Sequence, residues 1–108
     1  MKYKITGTRA YGPERDDSDL DIVLRYDDAH DLNVWLQTKG IEVWETDEQL
    51  RKDYGGFYFD LMGIKINIIE ARTDKEMHKW DKRTEEMKMI EPIEDREERI
   101  KIFNEFEV

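Results

Sequence analysis

Gly7 and Thr8, followed by Asp19 and Asp21 with one leucine between them, are the residues of this chain whose types and spacing fit a reaction. Residues two apart on a strand point to one side, so the two carboxylates are expected about 6–7 Å apart at the backbone on a single strand face. Acids placed this way can bracket one or two divalent cations, which neutralise a polyphosphate and align an attacking oxygen with its leaving group. Gly7 lets the backbone come close to a phosphate, and the Thr8 hydroxyl and neighbouring N–H groups can donate hydrogen bonds to it. Arg9 and Arg15, nearby in sequence, can add positive charge.

The elements that must position these residues follow from periodicity. Lys2 to Thr6 is short and β-prone and ends at Gly7, so it reads as a first strand, and Thr8 to Tyr11 as a tight turn or one helical turn broken by Gly12-Pro13. From Ser18 to Leu24, Asp19, Asp21 and Val23 alternate with Leu20, Ile22 and Leu24, the pattern of a strand with one apolar face. Asp27 or Asp28 can cap a helix carrying Leu32, Trp35 and Leu36, with Gly40 as its left-handed stop. Ile41 to Trp44 reads as a strand, Thr46 to Tyr54 is polar and ambiguous, and Gly55-Gly56 marks a turn. Phe57 to Met62 and Ile64 to Ile69 read as a hairpin turning near Gly63.

Two helices are expected to close the chain, over about residues 73–90 and 95–107. Thr73-Asp74-Lys75-Glu76 fits a capping box, and Met77, Trp80, Thr84 and Met87 form the stripe behind it. Pro92 ends that helix, and the next, from Asp95, places Ile100, Phe103 and Phe106 near one face. Trp35, Trp80, Met77 and Met87 are expected in the core. The fold class is α+β (or α/β), a mixed sheet of four or five strands with helices packed on it, in a single domain over 1–108.

Composition narrows the chemistry. With no cysteine, thiolate catalysis and thiolate metal sites are excluded, and two histidines, His30 and His78, read as solvated or structural. A metal would need oxygen ligands, which favours Mg²⁺ or Mn²⁺. A net charge of −9 disfavours nonspecific nucleic-acid binding, although a local basic patch is compatible with it. The longest apolar run is about five residues and MKYKITG has no apolar block of signal-peptide length, so a soluble, cytoplasmic protein with no membrane span is expected.

The stretch GTRAYGPERDDSDLDIVL, Gly7 to Leu24, resembles the signature of the DNA polymerase β-like nucleotidyltransferase superfamily, particularly its minimal, stand-alone members. That signature is Gly-Ser (sometimes Gly-Thr), a spacer of about ten residues, then Asp-x-Asp between apolar residues. Gly7, Thr8, Asp19 and Asp21 match it, and Arg9, Ala10, Gly12 and Ser18 match the minimal members further. The resemblance implies the nucleotidyltransferase fold, Mg²⁺ or Mn²⁺ at Asp19 and Asp21, and an NTP in contact with Gly7, Thr8, Arg9 and Ser18; Lys65, expected on the same strand face as Asn67, can also meet a phosphate. It also implies a third carboxylate on a later strand. In IKINIIEA the matching position is Asn67, which can ligate through its carbonyl but brings no charge and cannot act as a base. Asp60, between Phe59 and Leu61, and Glu70, three residues past Asn67, are the alternatives.

The implied reaction transfers a nucleoside monophosphate from NTP to a hydroxyl of an unknown acceptor and releases pyrophosphate. Acceptor specificity is expected from the two C-terminal helices, a homo-oligomer or a protein partner. The rival expectation is a degenerate, antitoxin-like module that binds NTP or a partner without turnover; the resemblance implies overlap between the two, since some antitoxins among the minimal members act by modifying their partner.

Overall fold

The computed structural model describes residues 2–15, 18–46 and 55–106. Asp16, Asp17, residues 47–54 of the ambiguous polar segment and the last residue of the expected C-terminal helix lie outside them. Five strands form one mixed sheet, in the order β1-β2-β5-β4-β3. These are β1 (Tyr3–Thr6), β2 (Leu20–Arg25), β3 (Trp44–Glu45), β4 (Gly56–Leu61) and β5 (Ile64–Ala71). Among the described residues four helices accompany the sheet, α1 (Thr8–Tyr11), α2 (Tyr26–Thr38), α3 (Asp74–Lys88) and α4 (Arg96–Glu105), the last packed on α3. The architecture is α+β.

At the centre β2 and β5 run parallel, with Asp21 beside Asn67 and Val23 beside Ile69. β1 joins β2 antiparallel, placing Thr6 beside Asp21, and β4 joins β5 antiparallel, placing Tyr58 beside Asn67. Alternation then assigns the faces. Leu24, Phe57, Phe59, Ile66 and Ile68 pack on one side around Ala29 and Leu36 of α2, with Leu20, Ile22, Leu32, Ile41 and Val43 completing the cluster. On the other side Val23, Ile69 and Ala71 meet Met77 and Trp80 of α3. That second cluster covers only the far half of its face. Thr6, Asp21, Lys65 and Asn67, near the other end, are left beyond it.

The C-terminal helices start as their sequences dictate. Thr73 Oγ1 accepts the Glu76 N–H at 3.1 Å, and Glu76 reaches back to accept the N–H of Arg72, one residue ahead of the cap, a variant of the capping box. Asp95 Oδ1 accepts the Glu97 N–H at 3.0 Å at the start of α4. Thr84, Met87 and Phe103 are buried, and Ile100 is 44% exposed.

Three sequence expectations are corrected. Trp35 is not core: it is 54% exposed, with the Lys39 ammonium 5.8 Å from its ring centroid. Ala29, Leu32 and Leu36 already complete the inward stripe of α2, and Trp35 stands about 100° around the helix from Leu36. Helix α2 starts at Tyr26 directly after the strand, so Asp27 and Asp28 lie in its first turn and do not cap it. The strand expected over Ile41 to Trp44 is Trp44–Glu45; Ile41 and Val43 pack on the core from outside the ladder. Gly40, at φ 73°, stops α2 as expected. His30 and His78 are exposed. No helix among the described residues is long and apolar enough to cross a membrane.

Candidate functional site

The acidic pair stands where β1 ends and β2 begins. Asp19 lies one residue ahead of β2 and Asp21 within it, both on the face shared with Lys65 and Asn67. Between β1 and α1 the chain turns through Gly7, at φ 74° and ψ −166°. A Cβ on Gly7 would collide with the Asp21 carboxylate, whose Cγ would stand 3.0 Å from it. Glycine is therefore required twice, by its left-handed backbone and by the carboxylate packed against it.

Asn67 joins the two acids. Its Nδ2 donates to Asp21 Oδ1 at 2.8 Å and to Asp19 Oδ2 at 3.2 Å, and the residue is only 6% exposed. A buried amide with both N–H groups on carboxylates is satisfied without any net positive charge at the site. Lys65, two residues earlier on β5, brings its Nζ within 4.0 Å of Asp19 Oδ2. The same ammonium stands 4.4 Å from the Tyr58 ring centroid, and Tyr58 stacks on Trp44 at 5.4 Å. The cation is thus held over an aromatic step beside the acids.

Neither of the other third-acid candidates bridges the two acids, although Glu70 does line the cleft that holds them. Asp60 is exposed and pairs in register with Lys65 near the hairpin tip, one strand further from Asp21 than Asn67. Glu70 alternates away from Asn67, with its carboxylate beside Gly55 and its N–H bonded to the Gly55 carbonyl at 3.1 Å. Of the three, Asn67 is the residue that reaches both carboxylates.

Gly7, Thr8, Asp19, Asp21, Lys65 and Asn67 line one cleft of about 880 Å³. Arg9 and Ser18 do not. Arg9 Nε donates to the Ser18 carbonyl at 2.9 Å, and Ser18 Oγ accepts the Arg15 N–H at 2.7 Å. Arg9 thereby ties the loop that carries Asp19 to α1, and Ser18 closes that loop on itself. Arg15 is exposed.

The donor set fits a divalent cation in a limited way. Two carboxylates match the habit of Mg²⁺, which is commonly held by one or two carboxylates together with substrate phosphates, while the Asn67 amide turns its N–H groups, not its oxygen, toward them. Among the described residues no group of three or more His, Cys, Asp or Glu side chains is placed to hold a metal. An ion at Asp19 and Asp21 would need phosphate oxygens or water to complete its shell.

Sequence reasoning missed the other wall of the cleft, where Lys79 and Arg83 of α3 and Arg96 and Arg99 of α4 are found. The signal was present: these cations recur at helical spacing on the faces that carry Trp80 and Phe103. Lys4 of β1 pairs with Asp81 at 2.8 Å and with Glu85, anchoring α3 beside the site. Hydrogen bonds to Asp81 and Glu85 hold the Lys4 ammonium above its ordinary pKa, and Lys4 in turn holds Glu85 below its own. Compared with known proteins, the chain matches no family model, no curated protein and no solved structure.

Proposed function

We propose that this protein is a Mg²⁺-dependent nucleotidyltransferase-like protein that binds an NTP at Asp19 and Asp21. The observation that carries the reading is the convergence of Gly7, Asp19, Asp21 and Asn67 at one end of a cleft, with Gly7 packed against the Asp21 carboxylate. In this reading the Gly7-Thr8 turn receives the phosphates and Lys65 stands beside Asp19 to offset their charge. A divalent cation held by Asp19 and Asp21 would supply charge neutralisation at the polyphosphate.

The reaction balances without a further reagent. The acceptor hydroxyl oxygen forms a bond to the α-phosphorus, the bond from that phosphorus to the bridging oxygen breaks, and pyrophosphate leaves. The hydroxyl proton passes to Asp19 or Asp21, because Asn67 cannot accept it. Two acids where the resembled family uses three make slow turnover the expected outcome.

Asn67 also favours a second reading, a module that binds NTP, or a partner, without turnover. Incubation with Mg²⁺ or Mn²⁺ and α-labelled ATP, with Asp19→Ala as control, separates the two. Pyrophosphate release that Asp19→Ala abolishes supports the enzyme. Saturable ATP binding with no release and no label transfer supports the nucleotide-binding module, and absence of ATP binding contradicts the enzyme and leaves only the partner-binding form of the second reading.

A further inference from the structure

The second wall of the cleft has a character of its own. Lys79, Trp80 and Arg83 lie on one face of α3, and Arg96, Arg99 and Phe103 on one face of α4. Four cations thus gather on one surface of a chain in which 27 acids outnumber 18 Lys and Arg. None of the four is ion-paired with a carboxylate within 4.0 Å among the described residues.

Two of these cations are fixed without being neutralised. Arg83 donates to the carbonyls of Phe106 and Asn104, each at 3.2 Å, and Arg99 donates to the carbonyl of Ile93 at 2.9 Å. Backbone carbonyls hold the guanidinium groups in place but leave their full charge, so little side-chain entropy remains to be lost on meeting an anion. Between the helices, Trp80 and Phe103 meet with ring centroids 5.3 Å apart. The wall combines an apolar floor with fixed cations, suited to an organic group that carries a phosphate. At about 880 Å³ the cleft is at the upper end of small-molecule sites and has room for more than a nucleotide.

We propose that the α3–α4 wall is the acceptor site, and that the acceptor is a small organic phosphate whose phosphoryl group docks on Lys79, Arg83, Arg96 and Arg99. The word acceptor rests on the nucleotidyltransferase reading; the anion site does not. Ribose 5-phosphate serves as the probe, with binding followed by ³¹P NMR in the absence of divalent cations. Lys79→Ala/Arg96→Ala removes the two cations that make no hydrogen bond holding α4, and the fold of this variant is checked by its melting curve. Wild type and Asp19→Asn/Asp21→Asn are expected to bind the probe alike, and Lys79→Ala/Arg96→Ala more than about tenfold more weakly. Unchanged affinity in that variant, or no binding by wild type at millimolar probe, overturns the proposal.

A second arm tests which phosphate belongs there. Saturating Mg·ATP is expected to leave probe affinity within about twofold, since the two ligands would occupy different ends of the cleft. Competitive displacement by ATP would instead assign the wall to the nucleotide's own polyphosphate and overturn the acceptor assignment. A chain that binds the probe through Lys79 and Arg96 but never binds ATP would contradict the nucleotidyltransferase reading while leaving the anion site standing.

Discussion

The two faces of one sheet are built on different physics. Against α2 the sheet presents Leu24, Phe57, Phe59, Ile66 and Ile68, a contiguous apolar surface with Ala29 and Leu36 buried upon it. Against α3 it presents Val23, Ile69 and Ala71 over one half, and Thr6, Asp21, Lys65 and Asn67 over the other. The helix there is fixed in large part by polar contacts: Thr6 Oγ1 to Thr84 Oγ1 at 2.7 Å, Lys4 to Asp81 and Glu85, and Arg25 to Asp74 at 3.4 Å. The lesson is a division of labour. One face supplies stability through buried area, which leaves the other able to keep half its surface open and charged.

The largest effect that should sharpen this contrast is on the apolar face. Phe57 is 2% exposed, and Phe57→Ala is expected to destabilise the protein by about 3–5 kcal/mol in urea unfolding. ATP affinity measured well below the new midpoint should be unchanged. A loss of binding in the folded variant would show that the two faces are coupled.

A smaller, more diagnostic effect is expected at the buried hydroxyl pair. Thr84 Oγ1 donates to the Trp80 carbonyl at 2.7 Å and so accepts from Thr6. Thr84→Val should cost about 1–3 kcal/mol by leaving the Thr6 hydroxyl buried without a partner. Thr6→Val/Thr84→Val, which removes both hydroxyls, should recover most of that loss in the same unfolding experiment. If the double variant is as unstable as the single one, volume and not hydrogen bonding holds α3 on this face.

The smallest effect belongs to the Lys4 seam, partly exposed to solvent. Lys4→Met should lower the melting temperature by roughly 1–3 °C at low salt, and by less at high salt. Its pH dependence has a defined sign. Glu85 is held below its ordinary value of 4.5, so its contribution is complete above that pH and is lost as pH falls through the depressed value. Lys4 is held above 10.5, so its contribution is present below that pH and is lost as pH rises through the raised value. Between these limits the difference in melting temperature between wild type and Lys4→Met should be flat; a slope near neutrality would contradict the assignment.

The sequence made the site-bearing strands legible because alternation over Asp19 to Leu24 and over IKINIIEA marks both faces at once. The meeting of Asn67 with Asp19 and Asp21 then depended on register alone, which the pattern of apolar residues restricts strongly. Among the alternatives, Asp60 satisfied the local pattern but stands one strand away, information that only pairing supplies. Trp35 misled because its spacing from Leu32 suggests the inward stripe, whereas Ala29, Leu32 and Leu36 already fill that stripe and leave Trp35 at its margin. The basic wall was hidden for the opposite reason. Cations at helical spacing look like a solvated face until the fold shows that α3 and α4 turn them toward a cleft. Arg9 and Ser18, read as ligand contacts, hold the Asp19 loop, since neighbours in sequence are the readiest hydrogen-bond partners for a turn.

In the proposed function, Asp19, Asp21 and Asn67 form one metal–nucleotide site short of one charge. Mn²⁺ binding in the presence of ATP, followed by water-proton relaxation in wild type, Asp19→Asn/Asp21→Asn and Asn67→Asp, tests it most directly. Asp19→Asn/Asp21→Asn is expected to bind more than about tenfold more weakly than wild type, and Asn67→Asp more tightly. Equal Mn²⁺ affinity in all three proteins would contradict it.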